Sequence, residues 1–164
     1  MRFIVLLIFF ISCSKEPLFK PLGEESKVTK VRESLENQEK LGLLNIGLQW
    51  IDGPNAIGEG ENIFKIRFWN PSKSTIYGPY TLPQNKVCVL LWMKMSDGSE
   101  HGTSPVTIKI EHNDDGDILV VSDAYFVMNG QWQIRVRTVQ EGTRCKATKD
   151  YEFLDEVIFA VNIN

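Results

Sequence analysis

Residues 62–70, NIFKIRFWN, and 131–139, QWQIRVRTV, alternate apolar with charged or polar side chains at a period of two. No helix can hold that pattern on one face. In the first segment Phe64, Ile66 and Phe68 share a side opposite Lys65 and Arg67. In the second, Trp132, Ile134 and Val136 are expected inward, with Gln133, Arg135 and Arg137 facing water. Each segment therefore has one face to bury and one to hydrate, which half-buried antiparallel sheets achieve by closing face to face.

The surrounding chain repeats the theme. From residue 43 onward, short runs of β-branched, aromatic and aliphatic residues are separated by clusters of Gly, Pro, Asn and Asp. LLNIGLQWI at 43–51 places Leu44, Ile46, Leu48 and Trp50 on one face, and a loop follows. Three prolines and a glycine make 71–84 a long connection, with a short edge strand expected near 75–77. KVCVLLWMKM at 86–95 is apolar nearly throughout, as a strand covered on both sides or central in its sheet requires. PVTIKIEH at 105–112 presents Val106, Ile108 and Ile110 on one side. Asp115-Gly116 then makes a hairpin turn whose residues take positive φ angles. A strand over 118–128 is expected to meet QWQIRVRTV through a tight Asn129-Gly130 turn. The last strand, EVIFAVNI, buries Val157, Phe159 and Val161. The expectation is an all-β fold: an immunoglobulin-like antiparallel β-sandwich of about seven strands over residues 43–164, with no helix.

The N-terminus has a different character. Arg2 precedes FIVLLIFFI at 3–11, then Ser12, Cys13 and a polar stretch. A membrane span needs about 20 apolar residues, so this shorter run reads as an export signal over residues 1–12. Residues 13–42 are rich in Lys, Glu, Ser, Asn and Gln, too polar to order themselves by burial. They are expected to form a disordered, flexible tether with a root-mean-square reach of about 30 Å. Export leaves Cys88 and Cys145 in a compartment where a disulfide persists; two free thiols or thiolate metal ligands are the alternatives. The formal charge of −3, with no basic stripe, argues against a nucleic-acid partner.

The unusual chemistry is concentrated at 92–105, WMKMSDGSEHGTSP. Met93 and Met95, two apart on a strand, share a face about 6.5 to 7 Å apart, and His101 follows within six residues. Thioether and imidazole are ligands suited to Cu(I). Met128, at the end of its segment, is a further candidate ligand, and His112 is a poorer fourth. The structural alternative is that the methionines fill gaps in the core and the imidazole caps a loop carbonyl. Cys, His and Met do not cluster on one loop as a blue-copper centre requires. The run NDDGD at 113–117 lacks the oxygen ligands and closing Glu of a calcium loop. Neither histidine has a recognisable nucleophile and acid beside it, so no enzymatic activity is expected. Tyr77 and Tyr80, on the long connection, are the expected partner-binding surface if the protein is a recognition module.

Two resemblances add to this reading. Phe10-Ile11-Ser12-Cys13 resembles the lipobox of bacterial lipoproteins, which implies that Cys13 is lipidated and becomes the mature N-terminus. The protein would then be anchored in the bacterial cell envelope by lipid, facing the periplasm or the exterior. In the region 92–137 a Met-bearing strand runs into a Gly-containing turn, His101-Gly102 and Pro105; Asp115-Gly116 precedes a segment ending Phe126-Val127-Met128; and Asn129-Gly130-Gln131-Trp132 leads into alternating IRVR. In these motifs the region resembles the FixH/YtkA-like family. That resemblance implies an exported β-sandwich accessory domain, some members being tied to copper handling or respiratory-oxidase assembly. The expected function is an accessory protein that binds and passes on Cu(I) to a copper or respiratory-oxidase assembly partner. The alternative is a lipid-anchored immunoglobulin-like module that binds a protein partner without metal.

Overall fold

The computed structural model describes residues 39–95, 97–103, 105–146 and 152–164. Cys13 and the residues read as an export signal and, as far as residue 38, as a tether lie outside the described residues. Among those described are nine strands: β1 (Lys40–Leu41), β2 (Leu44–Asp52), β3 (Ile63–Trp69), β4 (Lys86–Lys94), β5 (Glu100–Gly102), β6 (Thr107–Asn113), β7 (Gly116–Ser122), β8 (Gly130–Val139) and β9 (Asp155–Ile163). Seven are seven to ten residues long, and β1 and β5 are short additions. β1 falls within the stretch read as tether, and Leu41 is buried.

The strands form two antiparallel sheets, ordered β1-β2-β3-β7-β6 and β5-β4-β8-β9. Consecutive strands β3 and β4 lie in different sheets, as do β7 and β8, while β7 returns to pair with β3. With β2, β3, β7 and β6 facing β4, β8 and β9, this is the strand order of an immunoglobulin sandwich. The alternation explains the closure. Phe64, Ile66 and Phe68 of β3 are completely buried and face a second layer built from Val89 and Leu91 of β4 and Ile134 and Val136 of β8. Each such aliphatic or aromatic side chain contributes roughly 1.5–3 kcal/mol by leaving water.

Several expectations are corrected. The strand expected over 118–128 stops at Ser122; Asp123 takes a φ of 55°, and the chain leaves the five-stranded sheet to cross to the other. Asn129-Gly130 therefore closes no hairpin, and Gly130 alone of the pair has positive φ. At the β6–β7 hairpin likewise only Gly116, not Asp115, takes positive φ. No strand forms at 75–77, where Thr75 and Gly78 make an isolated bridge. The connection packs beside β3 instead: Thr81 N–H donates to the Phe68 carbonyl at 2.9 Å and Tyr80 N–H to that of Asp115 at 2.6 Å. A Cβ on Gly116 would collide with the Tyr80 carbonyl oxygen, so a side chain there would push the connection off the sheet.

The outer face of the four-stranded sheet is also covered. Arg137, expected in water, is only 3% exposed. Its Nε donates to Glu156 Oε1 at 2.5 Å, and its guanidinium lies 4.5 Å from the Phe153 ring centre. Opposite it in register, Cys88 is fully buried and bonded to Cys145; of the three alternatives for the thiols, the structure has the disulfide.

Candidate functional site

β4 runs between β5 and β8, and its register fixes the site. Met93 pairs with His101 on one side and Trp132 on the other. Directly opposed residues of antiparallel strands project on the same face, so His101, Met93 and Trp132 form one row on the inward face. Met95, two residues on, follows the same side and packs half-buried against the core.

The row runs from wet to dry. Trp132 is fully buried, Met93 is 7% exposed, and His101, on the three-residue edge strand β5, is exposed. Met128 is 41% exposed. It is tied to the row because its carbonyl accepts a 2.9 Å hydrogen bond from Trp132 Nε1. Gly130, at a φ of 135°, approaches the same row: a Cβ there would sit 2.5 Å from the Met93 methyl carbon, the movable end of that side chain. Met93, Met95, His101 and Met128 are all brought to one end of the sandwich, whereas His112 lies on β6 and pairs with Asp117 at 2.6 Å.

Beneath this end lies an aromatic floor that links the sheets. Trp50 of β2 packs edge-on to Phe64 at 5.0 Å, Trp50 and Phe126 lie 6.2 Å apart, and Phe126 meets Trp132 at 5.4 Å. T-shaped and tilted pairs of this kind add about 0.5–1.5 kcal/mol each beyond their burial. The row is consequently backed by packed aromatic rings, of which Phe64, Phe126 and Trp132 are completely buried and Trp50 partly so.

The turn joining β4 to β5 is held by its own polar groups. Met95 N–H donates to the Ser99 carbonyl at 2.8 Å and Gly98 N–H to that of Met95 at 3.0 Å. Asp97 Oδ1 accepts from Ser99 Oγ at 2.6 Å and Ser99 N–H at 2.8 Å. Those two bonds hold the Asp97 carboxyl below the usual carboxylate range, and the charge of His101 lowers it slightly further. Sequence reasoning misses Asp97; an Asp-Gly-Ser turn two residues after Met95 is the available signal.

Among the described residues no three His, Cys, Asp or Glu side chains gather where they could hold a metal ion. Chemistry at this end would therefore rest on the thioethers and one imidazole. That donor set is soft and neutral, so it fits a monovalent soft cation and not a hard one such as Ca²⁺.

Of the two tyrosines on the 71–84 connection, Tyr77 is 83% exposed. Tyr80 is half-buried: its hydroxyl donates to the Ile76 carbonyl at 2.9 Å and Arg67 lies 5.5 Å from its ring centre. Tyr80 holds the connection to the sheet, leaving Tyr77 as the one presented to solvent.

Comparison with protein-family models, with curated proteins and with solved structures finds no match.

Proposed function

We propose that this chain is an exported, lipid-anchored accessory domain that captures Cu(I) at the open end of its sandwich and passes it to a partner. The observation that supports the reading is the register of Met93 opposite His101, with Met95 on the same face and Met128 one hydrogen bond away through Trp132. Met95, His101 and Met128 would be the reachable ligands and Met93 the dry one behind them. Few, neutral, partly exposed donors suit transfer, since a partner's ligand can displace them one at a time. Protonation of the imidazole removes its lone pair, so capture would weaken in acid.

The test is competition for Cu(I) between the full chain and a chromogenic chelator. The expected result is one equivalent of Cu(I) bound, with affinity falling about tenfold or more in Met95→Leu and in His101→Ala. Binding unchanged in the double variant would end the proposal.

A second reading has one observation in its favour, the 83% exposure of Tyr77 on a connection whose neighbour Tyr80 is fastened down. A rigid loop presenting an aromatic side chain suits recognition of a protein partner. It predicts partner capture that is lost in Tyr77→Ala and indifferent to copper.

A further inference from the structure

β6 ends the five-stranded sheet, and its only backbone pairing among the described residues is with β7. It is seven residues long, and six of the seven are exposed. An edge of that length offers a row of outward N–H and C=O groups to any strand that can lie beside it. On its inward side Ile108 is half-buried and Ile110 is 51% exposed, so an apolar strip continues past the end of the opposing sheet.

We infer that β6 pairs antiparallel with β6 of a second copy of this chain, centred on Ile110. The sequence of the strand, Thr-Ile-Lys-Ile-Glu-His-Asn, is complementary to itself in that one register. Ile110 then faces Ile110, Lys109 of each copy faces Glu111 of the other, Ile108 faces His112, and Thr107 faces Asn113. A centre on Lys109 or on Glu111 would oppose like charges, and a centre between two residues would set apolar sides against hydrated ones.

Lys109, Val120 and Lys65 occupy one row on the outer face of the sheet. Glu111 lies on the same face and reaches inward across β7 to Lys65, 2.9 Å from its Nζ. The incoming Lys109 therefore shares or replaces Lys65 as the partner of that carboxylate. The interface is isologous, closes after two copies, and joins two five-stranded sheets into one of ten.

The other long edge, β9, is not an equivalent candidate. Its only charges are Asp155 and Glu156, with no cation to oppose them, and β1 stands beside it.

The experiment is sedimentation equilibrium of the full chain in density-matched neutral detergent, comparing the parent with Lys109→Glu, Glu111→Lys, the double reversal, and an equimolar mixture of the two single variants. The parent is expected to dimerise, and each single reversal to weaken dimerisation about tenfold or more. The mixture restores association, because the Lys109→Glu chain then sets two carboxylates against the two ammonium groups of the Glu111→Lys chain. The double reversal restores it too, by exchanging the signs across each pair. A parent that stays monomeric up to about 1 mM, single reversals without effect, or a mixture no tighter than its components would each overturn the inference.

Discussion

Met93 and His101 stand directly opposite each other across the β4–β5 pairing, one buried and one exposed, with both side chains on the inward face. The crossover approaches the Met93 methyl group at Gly130. Substituting Gly130→Ala is expected to destabilise the domain by about 1–2 kcal/mol, chiefly because φ is 135°, with the Met93 methyl shifting aside. Urea unfolding measures the loss; an unchanged midpoint would show that the crossover gives way freely.

The Cys88–Cys145 bond spans 57 residues. On the chain-entropy model it contributes about 4 kcal/mol by restricting the unfolded chain. Cys88→Ala together with Cys145→Ser should lower stability by about 2–4 kcal/mol while keeping strand content, as read by circular dichroism and denaturant midpoints. Because Cys88 is fully buried and bonded to Cys145, neither residue should take up a thiol label until a reductant opens the bond.

Arg137 is buried beside Glu156, and its Nη1 has no partner among the described residues. Removing the carboxylate strands the guanidinium. Glu156→Ala is expected to cost about 3 kcal/mol, whereas Arg137→Leu with Glu156→Leu, which removes both charges, should cost much less. A double-mutant cycle by thermal unfolding decides it.

The Asp97 carboxyl titrates below its ordinary value of 3.8, chiefly because of its bonds from Ser99. A native value below the unfolded one means the turn is stabilised fully above the unfolded value. The stabilisation is lost as pH falls through the lowered native value. Protection of the Ser99 amide, its NMR exchange rate compared with the intrinsic rate at the same pH, should fall between pH 5 and pH 2 (roughly the range bracketing the carboxylate). In Asp97→Ala that protection should be low throughout.

The two-layer fold is legible because Phe64, Ile66, Phe68 and Trp132, Ile134, Val136 carry a period that only a half-buried strand satisfies. The same signal misleads beyond Ser122. Ala124 and Phe126 are buried while Tyr125 and Val127 are exposed, so alternation persists in a segment that has left the sheet. Period reports which sides are dry, not which strand lies alongside. Arg137 escapes for a related reason: its cover comes from Phe153 and Glu156, distant in sequence. The residue types of the candidate site are visible as a cluster of letters. The pairing of Met93 with His101 is not, because register across a turn depends on how the turn residues close, here through Asp97 and Ser99.

β2 begins beside β1 and ends at Trp50 and Asp52, next to the aromatic floor. Nine residues of strand cover about 30 Å. β1 lies antiparallel beside the first residues of β2, with the Glu39 carbonyl accepting from Ile46 N–H, so traced backward from Leu41 the chain heads toward the pole that carries the thioethers. A domain moored by its N-terminus would thus not add its own full length as a spacer, and the standing of that pole above its mooring would be set by the segment before Glu39.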